Sequence, residues 1–130
     1  MSRPEIAYLS TSDLLLLFAS IEGLQPVVRD LGSLESAGQR PRTRFGGECL
    51  YPTLSLAAAA LMEAINQNHP LVDGNERLSW IGAAAMYALA GHRRAEVSQD
   101  DIVALTLRVA QRGIELEDLA AELDRLLLVD

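Results

Sequence analysis

The sequence predicts an all-α domain, and three observations carry that expectation. Of the 130 residues, 49% are hydrophobic but only 5% are aromatic, with Leu and Ala dominating, a bias toward packed helices over sheet. Apolar residues recur at three- and four-residue intervals through most of the chain. Capping residues bound these segments, so the expectation is a compact bundle of about six helices in one domain, 1–130.

Each element has a local reason. Ser10, Thr11 and Ser12 offer caps before Asp13, and the run Leu14 to Phe18 closes at Gly23, which places a helix at about 11–22. Pro26 in a first turn, with Leu31 and Leu34 on one face, predicts a short helix over about 26–37, closed by Gly38 and Pro41. Residues 38–52, GQRPRTRFGGECLYP, lack helical periodicity and read as an exposed loop or small hairpin. Thr53 then caps a strongly apolar segment from Leu54 to Asn66, in which Leu54, Ala57, Ala58, Leu61 and Ile65 mark a central buried helix. A polar loop over 68–75 leads to a second buried helix from Arg77 to Leu89. Ser98 with Asp101 resembles a capping box opening a helix to about Gln111, and Glu117 to Leu128 supplies a closing amphipathic helix.

Charge and composition exclude some functions. A net charge of −7 argues against direct nucleic-acid binding, which rests on neutralising phosphates with Lys and Arg. Cys49 is the single cysteine, so neither an internal disulfide nor a multi-cysteine metal site can form, as suits a reducing cytoplasm. The N-terminal MSRPEIAYLS has no long apolar run, and the largely apolar stretch from Ile81 to Ala90 is too short to span a bilayer. A soluble cytoplasmic protein without a membrane partner is the expectation.

The chemistry concentrates in HPLVDGNERLSW, residues 69–80. A histidine ends one buried helix, and an Asp-Gly-Asn turn stands immediately before the next. The first N–H groups of that second helix lack intrahelical partners and sit at the positive end of its dipole, which favours a phosphate. Gly74 permits a turn that aims several amides at one point, Asn75 offers another donor, and Arg77 adds a planar fork for phosphate oxygens. Asp73 is a hard oxygen ligand suited to Mg²⁺. His69 carries an imidazole, which ordinarily exchanges a proton near neutral pH and suits a general base. The same residues also make an ordinary structural turn, and the residue types alone leave both readings open.

This stretch is similar to the Fic/Doc pattern His-Pro-Phe-x-Asp/Glu-Gly-Asn-Gly/Lys-Arg, matched at His69, Pro70, Asp73, Gly74, Asn75 and Arg77. The likeness extends to RDLGSLESA (29–37) and FGGECLYPTL (45–54), which look like the Doc, or death-on-curing, branch. The resemblance implies the Fic/Doc helical fold. It implies that His69 activates a Ser, Thr or Tyr hydroxyl of a target protein, that Asp73 binds Mg²⁺, and that Gly74, Asn75 and Arg77 hold the phosphates of ATP. It further implies a toxin with an antitoxin partner, transferring phosphate to translation elongation factor Tu, with AMP transfer as the alternative. Trp80 stands where Fic motifs carry a second Arg, a Doc-like trait that favours phosphate transfer.

Two positions depart from the pattern. Leu71 replaces Phe and keeps an apolar anchor beneath the loop. Glu76 replaces Gly or Lys, and a carboxylate about 4 Å from a phosphate charge costs roughly 1 kcal/mol in water and about 4 kcal/mol at an effective dielectric constant near 20. Glu76 either turns to solvent, joins Asp73 at the metal, or pairs with Arg77 and holds the site shut. An active enzyme with altered nucleotide handling and a weakened module acting by partner binding both remain open.

Three further signals lie outside the loop. Arg44, Phe45, Gly46 and Gly47, in a loop that also carries Arg40 and Arg42, correspond by resemblance to a flap that docks the target polypeptide. His92, Arg93 and Arg94 follow a helix C-terminus and read as dipole-complementing charge. FASIEG, Phe18 to Gly23, is a near miss to the family's inhibitory Ser/Thr-x-x-x-Glu-Gly/Asn, with Phe18 where a hydroxyl belongs, so control by an antitoxin is expected over self-inhibition.

Overall fold

The fold is all-α, as the sequence predicts. The computed structural model describes residues 6–129 and contains six helices and one two-stranded hairpin. Residues 1–5, part of the N-terminal stretch read for a leader, lie outside the described residues.

The first helix, α1, spans Thr11–Glu22. Ser10 caps it reciprocally: the Asp13 N–H donates to Ser10 Oγ at 3.1 Å and the Ser10 N–H donates to Asp13 Oδ2 at 2.9 Å. Leu14 and Phe18, one turn apart, are its buried positions.

The second helix, α2, spans Leu31–Gln39, later than the expected 26–37. Its cap is Asp30, whose Oδ1 accepts from the Ser33 N–H at 3.3 Å. That bond, together with the Ser33 hydroxyl, holds the Asp30 carboxyl below its ordinary pKa. Residues 26–30 stay extended because their backbone pairs elsewhere: Val28 forms an antiparallel bridge with Leu71, and the Arg29 and Asp30 N–H groups donate to the Pro70 carbonyl. Gly38 lies inside the helix rather than closing it, and Pro41 sits in a 3-10 turn, Arg40–Arg42, that continues it.

The segment expected as an exposed loop or small hairpin forms the hairpin, but its first part is anchored. Arg40 turns inward, donating to the Tyr51 hydroxyl at 2.9 Å and pairing with Glu63 at 2.5 Å, with its guanidinium 5.5 Å from the Tyr51 ring centre. Beyond it, β1 (Arg44–Phe45) and β2 (Glu48–Cys49) pair antiparallel around Gly46 and Gly47, at φ 59° and 83°, the sign a tight two-residue hairpin requires.

At the centre lies α3, Leu54–Asn68, capped by Thr53, whose Oγ1 accepts from the Leu56 N–H. Nine of its residues are buried, Ala57 to Ala60 among them, and it packs against α2 and every later helix. Alanine's small side chain lets those helices approach from several sides. Its partner α4, Asn75–Leu89, begins two residues earlier than expected. The last two helices, α5 (Gln99–Ala110) and α6 (Leu116–Leu127), complete the bundle, and Tyr87 of α4 donates to Asp124 of α6 at 2.7 Å. At Ser98 only half of the expected capping box forms: its Oγ accepts from the Asp101 N–H. No helix among the described residues is long and apolar enough to cross a membrane.

Candidate active site

The α3–α4 junction makes the site. α3 runs two residues beyond the expected Asn66 and ends on His69, which takes the left-handed conformation at φ 49°, ψ 56°. Its N–H donates to the Ile65 carbonyl at 3.1 Å and closes the helix. Pro70 and Leu71 then turn inward; Leu71 is 1% exposed and forms the apolar anchor expected beneath the loop.

Gly74 starts α4 at φ 95°, and two separate constraints act on it. That conformation strains any residue with a Cβ, and a Cβ there would stand 2.8 Å from the Phe18 ring. The residue that spoils the FASIEG motif is thus the floor of the turn. The first intrahelical bond runs from the Leu78 N–H to the Gly74 carbonyl at 2.9 Å, so the N–H groups of Asn75, Glu76 and Arg77 precede the helix's own hydrogen-bond ladder. Gly74 has no side chain to cap them. They leave the positive end of the α4 dipole uncapped, at the place where the sequence predicts an uncapped helix start.

These residues converge. Asn66, His69, Val72, Asp73, Gly74, Asn75, Glu76 and Arg77 line one open cleft of about 230 Å³. Asn66, missed from the sequence, is a buried polar residue whose Nδ2 donates to the Met62 carbonyl at 2.9 Å. The hairpin residues Arg44, Phe45, Gly46 and Gly47 are exposed and do not line this cleft; Phe45 is 81% exposed and Arg44 donates to the Gly47 carbonyl within the hairpin. His92, Arg93 and Arg94 likewise lie exposed after α4.

Two side chains are employed in unexpected ways. The Asn75 side chain folds back on the loop: its Oδ1 accepts from the Leu71 N–H at 2.8 Å and its Nδ2 donates to the Leu71 carbonyl at 2.9 Å. This clamp fixes the turn, and one amide hydrogen of Asn75 is left to point elsewhere. Arg77 pairs not with Glu76 but with Glu22, at the end of α1, with Nη1 and Oε1 2.7 Å apart. Of the three alternatives for Glu76, pairing with Arg77 is therefore not the one adopted. Glu22 is better placed because α1 ends beside the start of α4, whereas neighbours i and i+1 on a helix diverge. Glu76 is exposed and forms no ion pair among the described residues.

A bound Mg²⁺ would have to be held mainly by its nucleotide. Among the described residues no group of three or more His, Cys, Asp or Glu side chains could hold a metal ion. Asp73, an exposed carboxylate in the cleft, fits Mg²⁺ as Mg²⁺ is usually bound, through one or two carboxylates plus water and substrate phosphates. The two contacts of long sequence separation, Glu22 and Arg29, escaped the sequence reading of the loop, although Arg29 begins the RDLGSLESA stretch. Arg29 donates to the His69 and Asn68 carbonyls at 2.6 and 2.9 Å.

Comparison with known proteins bears out the family resemblance. Residues 8–87 match the model of the Fic/DOC family. The chain is 37% identical over 117 residues to a protein named Toxin Doc from Mycolicibacterium smegmatis, covering 89% of this chain and 90% of the relative.

Proposed function

This chain belongs to the Fic/Doc family, and from that premise we propose that it is the toxin of a toxin–antitoxin pair, a protein kinase that uses ATP. The observation that carries the reading is the convergence, in one cleft, of a histidine, a carboxylate and the free amide end of a buried helix. In the reading, the N–H groups of Asn75, Glu76 and Arg77 and the Arg77 guanidinium bind the ATP phosphates, and Asp73 holds Mg²⁺, which supplies charge neutralisation on them. His69 takes the proton from a Ser, Thr or Tyr hydroxyl of the target. That oxygen forms its bond to the γ-phosphorus as the bond to ADP breaks, in line with the positioning logic of phosphoryl transfer. The target is translation elongation factor Tu, whose modification blocks translation, and an antitoxin covers the cleft. The exposed Phe45 hairpin is the proposed docking edge for the target.

Labelled ATP, Mg²⁺ and elongation factor Tu test this directly. A gain of one phosphate on the target supports the kinase reading; a gain of AMP replaces it with adenylyl transfer; no gain with any target defeats both.

A second reading rests on Glu76. Its carboxylate lines the same cleft and stands in the first turn of α4, where it competes with a phosphate for the helix end. In that reading the chain binds partners without catalysis. Because Glu76 is exposed, the cost to an anion falls near the lower bound of about 1 kcal/mol. Calorimetry separates the readings: Glu76→Lys tightens ATP binding roughly fivefold or more if the site is a nucleotide site. No detectable ATP binding, before or after Glu76→Lys, favours the binding module.

A further inference from the structure

The extended segment ahead of α2 grips the catalytic loop at several points. The Arg29 guanidinium donates from Nε to the His69 carbonyl at 2.6 Å and from Nη2 to the Asn68 carbonyl at 2.9 Å. These are the last residue of α3 and its cap, where carbonyls lack intrahelical donors and the helix dipole is negative. The Arg29 and Asp30 N–H groups donate to the Pro70 carbonyl at 2.7 and 3.2 Å, and the Val72 N–H donates to the Val27 carbonyl at 2.9 Å. Asn68 donates through Nδ2 to the Ser33 carbonyl at 3.1 Å. Residues 27–33 therefore hold the chain on both sides of His69.

His69 needs such a hold. Its backbone is left-handed at φ 49°, a conformation that a Cβ disfavours and that persists only where the surroundings impose it. Its ring is exposed and makes no hydrogen bond among the described residues, so the backbone, which sets the Cα–Cβ direction, is the part of His69 that its surroundings hold. We propose that Arg29 is a positioning residue: by binding the Asn68 and His69 carbonyls together, it fixes the left-handed backbone of His69 and so aims the imidazole at the acceptor hydroxyl. The inference rests on His69 being the base. A planar fork spans two adjacent carbonyls, whereas a lysine ammonium serves as a single point donor. Arg29 lines no part of the phosphate cleft, so its effect belongs to the chemical step rather than to ATP binding.

The test uses the full-length chain and two readouts. In Arg29→Ala, kcat for phosphate transfer to elongation factor Tu falls about 10- to 100-fold, the scale of a displaced catalytic group. KM for ATP stays within about twofold, and Arg29→Lys recovers part of the loss. Without nucleotide, the Cα shift and the HN–Hα coupling of isotope-labelled His69 leave their left-handed values in Arg29→Ala. If Arg29→Ala unfolds, Arg29→Gln carries the same comparison. Unchanged His69 parameters in the folded variant overturn the proposal, as does a loss of kcat that only follows the folded fraction seen by circular dichroism. Should the wild-type chain transfer no phosphate, the kinase reading fails by itself, and the His69 parameters still decide whether Arg29 positions it.

Discussion

α1 and α3 end in the same left-handed turn but reach it in opposite ways. α1 ends on Gly23 at φ 75°, with nothing within 4 Å of where a Cβ would stand. α3 ends on His69 at φ 49°, with its own Cβ in a conformation that costs about 1–2 kcal/mol. At Gly23 the residue itself supplies the geometry, and the chain then leaves the helix freely. At His69 the geometry comes from outside, from Arg29, the Val27–Asp30 strap and the Asn75 clamp. The difference separates a turn that ends a helix unaided from a turn held by groups distant in the chain, and a strained backbone persists only where its surroundings impose it.

Substitution of the ring is the strongest way to sharpen that contrast. His69→Ala keeps the Cβ and the backbone but removes the proposed base, and the expected outcome is a fall in phosphate transfer of about 10²- to 10⁴-fold while the melting temperature hardly moves. Rate measurements on matched folded fractions check this. Gly74→Ala comes next: left-handed strain and a 2.8 Å approach to buried Phe18 together cost about 2–4 kcal/mol, read as a lowered urea midpoint. A smaller shift would mean that the Phe18 ring yields.

The two caps themselves can be exchanged in character. Gly23→Ala destabilises by about 1 kcal/mol, whereas His69→Gly stabilises by roughly 0.5–1 kcal/mol as it abolishes transfer. Opposite signs in denaturant titrations would establish that His69 is held under strain; equal signs would remove the contrast between the two turns. Glu22→Gln gives the smallest effect. It breaks the ion pair with a largely exposed Arg77, costs about 0.2–1 kcal/mol of stability, and frees the guanidinium to bind ATP about two- to fivefold more tightly.

Glu22 and Phe18 also show where a motif reading stops. FASIEG fails as a pattern at Phe18, yet Phe18 packs beneath Gly74 and Glu22 reaches Arg77. A hydroxyl missing at one position says nothing about where a carboxylate four residues later will point. The same holds at Arg40, which has the composition of an exposed basic loop but lies half-buried because Tyr51 and Glu63 meet it there.

The sequence by itself determined the helices, from periodicity and from caps at Ser10, Thr53 and Ser98, because those signals act within one or two turns of the chain. It also determined that His69, Asp73, Gly74 and Arg77 stand at one place, because the loop that bears them is a contiguous run between two apolar helices. The late start of α2, the Arg77–Glu22 pair and the grip of Arg29 on His69 were decided only by tertiary structure. Each depends on backbone and side-chain groups tens of residues apart, whose meeting is fixed by how α1, α2, α3 and α4 pack and not by any local preference of the residues themselves.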